Sequence, residues 1–299
     1  MVNTDNVRIL LFTMIVSHFP NNLPSNNVLV YPRVLSAIQS TDTLVEDNLD
    51  ADVALIWSVL WFGKMSANKR VWDHFRKQNK PVVVIEVGGL VRNETWKLGI
   101  NGINNDADFA LDIGYDDSRL AKLNLSAIYN WKKNGNYIVI AGQHGHSEQW
   151  KDMPDMDSYY KETITNIRQH SDLPILIRSH PRFRERIHFP IQDEQWYKDR
   201  DCEWNVPKKL ADTYDNFNFE EQLRHTKCVY SYCSNAGLTS IINGVPAVVS
   251  KHSLAYDVSS SHINDLQYPN RSEWVKRLSY IEWFPDEIHE QWLRLRTKL

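Results

Sequence analysis

The sequence predicts an α/β protein made of two domains, each with a parallel sheet covered by helices. Three observations carry that reading. Short apolar runs of strand length alternate with amphipathic stretches along the chain, as crossover-connected parallel strands require. The alternation restarts after the polar stretch Lys132-Lys133-Asn134-Gly135-Asn136. A chain of 299 residues with 42% hydrophobic content suits two cores of about 140 residues better than one.

In the first series, Val7–Val16 reads as a strand and Ser17–Asn27, rich in Pro and Asn, as a loop. Val53–Trp57 is a strand. Ala67–Lys77 is an amphipathic helix with Val71, Trp72 and Phe75 on one face. Pro81–Val87 is a strand ending in Gly88-Gly89, and Asp108–Ile113 reads as another short one. The second series runs through strands at Tyr137–Ala141, Pro174–Ile177, Cys228–Tyr232 and Ala247–Ser250, with helical stretches at Tyr159–His170 and Glu220–His225. Beyond residue 271, Trp274, Trp283 and Trp292 fall on two helices split by Pro285, which read first as packing helices. The domains expected are residues 1–135, 136–270 and a C-terminal helical tail, 271–299.

Composition excludes several classes. A formal charge of -3 advertises neither nucleic acid nor membrane binding globally, and no run approaches the ~18–20 apolar residues of a membrane span. Val7–Val16 has Asp5 before it and no small-residue cleavage site after it, so no signal peptide is expected and a cytoplasmic location is. The three cysteines, Cys202, Cys228 and Cys233, lack the spacing of a disulfide framework or a zinc site. No GxGxxG follows the first strand, and GxxxxGK[ST] and GxSxG are absent, which removes dinucleotide oxidoreductase, P-loop and serine hydrolase chemistry.

Ligands of open α/β sheets sit beyond the carboxyl ends of the strands, and that rule selects four places. The most informative is Cys233-Ser234-Asn235-Ala236-Gly237, a small polar turn opening a helix. Unpaired backbone N–H groups and the helix dipole favour an anion there, and small side chains leave room for a diphosphate. The competing reading is an ordinary capped turn. Gly142-Gln143-His144-Gly145-His146 offers flexible backbone with Gln and His donors. His144 and His146 lack a third ligand nearby, so no metal is expected. Arg178-Ser179-His180-Pro181-Arg182 follows a buried strand, and Arg178 or His180 can neutralise a leaving diphosphate. Arg182, Arg184 and Arg186 read equally as a solvated face. Finally, Glu86 ends the apolar run Val82–Ile85, where a carboxylate is costly unless paired or working. It is a candidate general base. A salt bridge to Arg92 or Lys97 is the structural alternative, and His18 and Asp257 are the other base candidates.

The His180-Pro181 pair after one strand, with the Ser234 turn, its helix and Gly244-Val245-Pro246-Ala247 after a later one, resembles the second domain of GT-B glycosyltransferases, in particular capsule-type Kdo and sialic acid transferases. Those families carry a basic residue in the Gly-Lys-Pro step and often two serines in the turn; this chain has neither. The resemblance spans roughly residues 137–257. It implies two Rossmann-like domains facing a central cleft, with a tail that in GT-B enzymes often crosses back onto the first. It further implies a nucleotide-sugar donor, UDP-linked by expectation, used as a substrate without a cofactor or metal. Donor binding falls to Gly142, Gln143, His144, Ser234, Asn235, Ala236 and Gly237, and catalysis to Glu86, His180 and Arg178.

The acceptor belongs to the first domain on this reading. The stretches 52–70 and 81–97, with the tail pattern Arg271…Trp274…Leu278-x-Tyr280…Trp283…Glu287-Ile288, resemble glycosyltransferase-like proteins of tailed phages, some of which place sugars on hydroxymethylated cytosines. That implies DNA with 5-hydroxymethylcytosine as acceptor and, for a phage-encoded chain, the host cytoplasm. Six basic residues between Lys64 and Lys80 against Asp73 alone, including Lys69 and Arg70, can track phosphates. Trp57, Trp61 and Trp96 can stack a flipped base. The competing assignment is a solvated helix face and core aromatics. A surface-polysaccharide glycosyltransferase, a nucleotide-sugar epimerase and a non-catalytic nucleotide-sugar-binding module are the alternatives.

Overall fold

The computed structural model describes residues 12–23, 29–126, 128–181, 193–211 and 217–299. The chain divides into two compact units, residues 1–119 with 277–299, and residues 120–276. In the first, β1 (Ile15–His18), β2 (Thr43–Glu46), β3 (Val53–Trp57) and β4 (Val82–Val87) are parallel, and β5 (Trp96–Ile100) runs antiparallel to β4. The sheet order β5-β4-β3-β1-β2 reverses direction between β1 and β3. Helix α1 (Val30–Gln39) covers one face and α2 (Asn68–Lys77) the other.

Alternation along β3 explains the continuous apolar run. Val53, Leu55 and Trp57 join the core with Val34 and Ile38 of α1, while Ala54 and Ile56 join the core with Val71 and Phe75 of α2. Of the expected first strand, residues 7–11 lie outside the described residues, and β1 extends to His18. The Asp108–Ile113 stretch is not a strand: Asp108 makes one bridge to Ile100, and Leu111–Ile113 forms a 3₁₀ turn. Ala110, in a left-handed conformation, ends the extended backbone.

The second unit holds β6 (Tyr137–Ala141), α3 (Met156–Arg168), β7 (Ile175–Arg178), α4 (Glu194–Lys198), β8 (Cys202–Asn205), α5 (Glu220–Leu223), β9 (Thr226–Ser231), α6 (Asn235–Ile242) and β10 (Ala247–Val249). The sheet is fully parallel in the order β10-β9-β6-β7-β8. Counted within the unit and read from β8, this is 3-2-1-4-5, the Rossmann order, with its switch point between β6 and β9. The chain leaves the first unit at residue 119, upstream of the polar stretch at 132–136. That stretch is fastened to the second unit: Lys132 N–H donates to the Gly244 carbonyl at 2.7 Å and Asn136 N–H to the His225 carbonyl at 2.8 Å.

After α7 (Ser272–Ser279) the chain rejoins the first unit. Glu282–Trp283 forms β11, antiparallel to β5 at the sheet edge, and α8 (Ile288–Arg296) packs against α1. Trp283 therefore lies on a strand, not a helix, and is 1% exposed. Arg119 clamps this segment. Its guanidinium donates to Glu287 Oε1 at 2.6 Å, to the carbonyls of Ser279 and Glu282 at 2.8 and 2.9 Å, and lies 3.8 Å over the Trp283 ring. No helix among the described residues is long and apolar enough to cross a membrane.

Candidate functional site

At the switch point of the second unit, the turns after β6 and β9 meet through one side chain. Gln143, buried, accepts from the Cys233 backbone N–H at 3.2 Å and from its thiol at 3.1 Å. Its amide nitrogen donates to Ser147 Oγ at 3.2 Å. The Gly142–His146 turn and the opening of α6 are thereby held side by side. Beside them His144 packs edge-on against His180, with ring centroids 5.5 Å apart, and 5.6 Å from His146. The His146 N–H donates to His144 Nδ1 at 3.3 Å, so a neutral His144 carries its proton on Nε2. His144 is buried, His180 half-buried and His146 exposed. Among the described residues no group of three His, Cys, Asp or Glu side chains is arranged to hold a metal ion.

Ser234 caps α6 by backbone geometry alone, and its hydroxyl pairs with Ser231 Oγ at 2.8 Å. Asn235 and Ala236 form the first turn, half-buried, where helix N–H groups lack intrahelical partners. Gly237 serves another purpose than anion approach. A Cβ there would lie 2.7 Å from Val249 Cγ1, so the glycine lets α6 pack closely on β10.

Arg178 departs from expectation. Ile175 and Ile177 face the core that holds α3, which turns Arg178 to the opposite face. There its guanidinium donates to Asn205 Oδ1 at 3.2 Å, to Gln222 Oε1 at 3.4 Å and to the Asn218 carbonyl, 5.0 Å above the Phe219 ring. Burial pushes its pKa down to about 10, still a cation at neutral pH. Its described partners are protein groups of β8, of α5 and of the segment leading into α5, so it braces this edge of the sheet. Arg182, Arg184 and Arg186 lie outside the described residues.

The carboxyl edge of the first unit carries a second cluster. Glu86, half-buried at the end of β4, accepts from Ser58 Oγ at 2.7 Å and from the Val87 N–H at 2.9 Å. Ser58 sits at φ 60, a left-handed conformation uncommon for a non-glycine residue. His18 ends β1 at the switch point, buried, with Tyr31 Oη 2.9 Å from Nδ1 and Glu46 3.5 Å from Nε2. Burial lowers the His18 pKa; Glu46 and Asp47 oppose this in part. Asp257, the remaining base candidate, is exposed beyond β10. The Gly88-Gly89 turn is closed from within: Glu282 accepts from the N–H groups of Gly89 and Leu90 at 2.7 and 2.9 Å.

Two of the three expected stacking residues are core. Trp57 and Trp96 are 5% and 2% exposed and pack with α1 and α8, because each takes the inward register position of its strand. A flipped base cannot reach them. Trp61 is half-buried against Trp72, with Lys69 Nζ 5.9 Å from its ring. Lys69 also pairs with Asp73 at 2.7 Å, Lys80 donates to the carbonyls of Asp50 and Ala51, and Arg70 is exposed. Sequence reasoning missed Ser58 and Glu282. Only Glu282 left a trace, a carboxylate inside Tyr280-Ile281-Glu282-Trp283-Phe284.

No family model matches the chain, and no curated protein matches it. Among solved structures it is similar to the KpsC beta Kdo 2,4 transferase of Thermosulfurimonas dismutans, at 12% identity and a TM-score of 0.53, over 91% of this chain and 92% of that one. The fold is GT-B. The beta Kdo 2,7 transferase of the same KpsC matches at 11% identity and a TM-score of 0.46, over 95% and 99% of the two chains. A Methanocaldococcus jannaschii UDP-GlcNAc 2-epimerase matches at 11% and 0.38, over 96% and 100%. The last two scores add no weight. The GT-B assignment rests on the first, together with two sheets, one fully and one mainly parallel.

Proposed function

We propose that this protein is a glycosyltransferase that moves a sugar from a nucleotide-sugar donor to a hydroxyl acceptor. The observation that carries the reading is the Gln143 bridge at the switch point of a Rossmann-ordered sheet. It holds a glycine-containing, histidine-bearing turn against a helix N-terminus, the combination a nucleoside diphosphate needs. On this reading the Ser234–Ala236 backbone receives the diphosphate. His180, braced by His144, donates to its oxygens as the glycosidic bond breaks. Glu86, oriented by Ser58, takes the acceptor hydroxyl proton. Arg178 supports the strand that carries His180 and is withdrawn from the chemistry.

For the acceptor we favour a saccharide hydroxyl over hydroxymethylated DNA. Burial of Trp57 and Trp96 removes most of the base-stacking platform, and Lys69 and Lys80 are spent on internal partners. The exposed Arg70 and its neighbours on α2 remain the observation in favour of DNA. The test offers a mixture of UDP-, CMP- and GDP-linked sugars with two acceptors, an oligosaccharide panel and hydroxymethylcytosine DNA, and reads products by mass spectrometry. Transfer to a saccharide supports the proposal. Transfer to DNA alone would reverse the acceptor choice, and tight nucleotide-sugar binding without any transfer would make the protein a binding module.

A further inference from the structure

Glu282 lies more than 190 residues from β4 in sequence yet is built into the turn that follows it. Its carboxylate is completely buried. One oxygen accepts from the Gly89 N–H at 2.7 Å; the other accepts from the Leu90 N–H at 2.9 Å and from Thr95 Oγ1 at 2.8 Å. The fit is close. A Cβ on Gly88 would lie 2.3 Å from Glu282 Oε2, 2.3 Å from Thr95 Oγ1 and 2.7 Å from the Thr95 carbonyl. Gly88 is thus glycine so that the carboxylate can reach the backbone beyond it.

Strand register ties the same residue to Glu86. Lys97 on β5 stands opposite Glu86 on β4 and opposite Glu282 on β11. Register partners share a face, with Cβ atoms about 4.5–5.5 Å apart. Glu86, Lys97 and Glu282 therefore form one charged row across three adjacent strands, on the face opposite Trp96 and Trp283, which enter the core. Lys97 is itself buried, in register between the two carboxylate-bearing positions.

We infer that Glu282 is a positioning residue: it fixes the Gly88–Leu90 turn, and through it the end of β4 that presents Glu86. The role of Glu86 as base rests on the function proposed above; the ordering of the turn does not. The tail is thus a working part of the acceptor-side unit. Its strand supplies the carboxylate that accepts from the Gly89 and Leu90 N–H groups.

The test compares full-length wild type with Glu282→Gln and, as a milder probe, Thr95→Val, which removes one of the three donors. A carboxamide cannot accept on both sides, so one of the two N–H groups, Gly89 or Leu90, loses its partner. In Glu282→Gln, hydrogen exchange of the amides in 88–95 should rise at least about tenfold, one lost bond's worth, while β3 and β1 stay protected. Transfer kcat should fall about tenfold to a hundredfold with nucleotide-sugar Kd unchanged, and Glu282→Asp should recover part of it. Thr95→Val should show the same pattern at smaller amplitude. Wild-type exchange and kcat in both variants would overturn the inference. So would loss of protection across the whole first unit in both, which would make Glu282 a stability residue only. Absence of any transfer by the wild type would instead sink the functional reading and leave the exchange result to decide the positioning.

Discussion

Replacing Arg178 by alanine separates a bracing role from a ligand-binding one. The substitution removes three hydrogen bonds from a buried cation and strands the Asn218 carbonyl, Asn205 Oδ1 and Gln222 Oε1. Each bond to a charged group contributes about 1.5–3 kcal/mol, so the gross loss is roughly 5–9 kcal/mol. Burying the guanidinium carries its own cost. The fall of its pKa from 12.5 to about 10 corresponds to roughly 3 kcal/mol, recovered when the charge is deleted. The net destabilisation is about 2–6 kcal/mol, a drop of roughly 5–20 °C in Tm for a unit of this size. Thermal unfolding by circular dichroism should show it, while calorimetric titration at a temperature where the variant is folded should find nucleotide affinity within about threefold of wild type. Arg178→Lys should fall between, since an ammonium keeps the charge but not the fork. An unchanged Tm with nucleotide affinity lost a hundredfold would refute the reasoning and return Arg178 to the diphosphate.

Two further outcomes follow from buried groups in the first unit. Arg119→Ala removes a buried cation from the half-buried Glu287, and the loss should be about 3–5 kcal/mol, read as a lower Tm and faster proteolysis within 277–299. His18 gives a pH signature: burial lowers its folded pKa below the 6.5 of the free side chain, so as pH falls below 6.5 the unfolded chain takes up the proton first. Stability should therefore decline from pH 6.5 downward through the folded pKa, and His18→Gln should flatten that decline; an equal slope in both proteins would show that another group sets it.

Strands buried on both faces were legible because every position is apolar, as in Val53–Trp57 and Val82–Ile85. The edge strands β2 and β8, and β5 one place in from its edge, were not. β8, Cys-Glu-Trp-Asn, and β2, Thr-Leu-Val-Glu, are half-exposed, and β5 carries Lys97 and Gly99 in an otherwise apolar run. Helix α1 escaped notice because Pro32 sits in its first turn, a position that tolerates proline but reads as a break. Within the candidate site, the glycine, histidine and serine turns stood out through residue type and their place after strands. Facing direction was the weak link. Two-residue alternation puts Arg178 opposite Ile177 and Trp57 beside Leu55, but nothing in the chain alone says which face holds the ligand. Glu282 showed only as a carboxylate in an apolar stretch, because its partners, the backbone of Gly89 and Leu90 and the hydroxyl of Thr95, are distant in sequence.

On the proposed function, a nucleotide sugar binds the second unit across its switch point. Hydrogen exchange of the whole protein with and without saturating nucleotide, drawn from UDP, CMP and GDP species, tests it most directly. The account predicts protection in the segments around 141–147 and 231–237 with at least one of them, and none at 88–90, where Glu282 already holds the backbone. Protection centred on the Gly88–Leu90 turn, or no protection with any nucleotide, would contradict it.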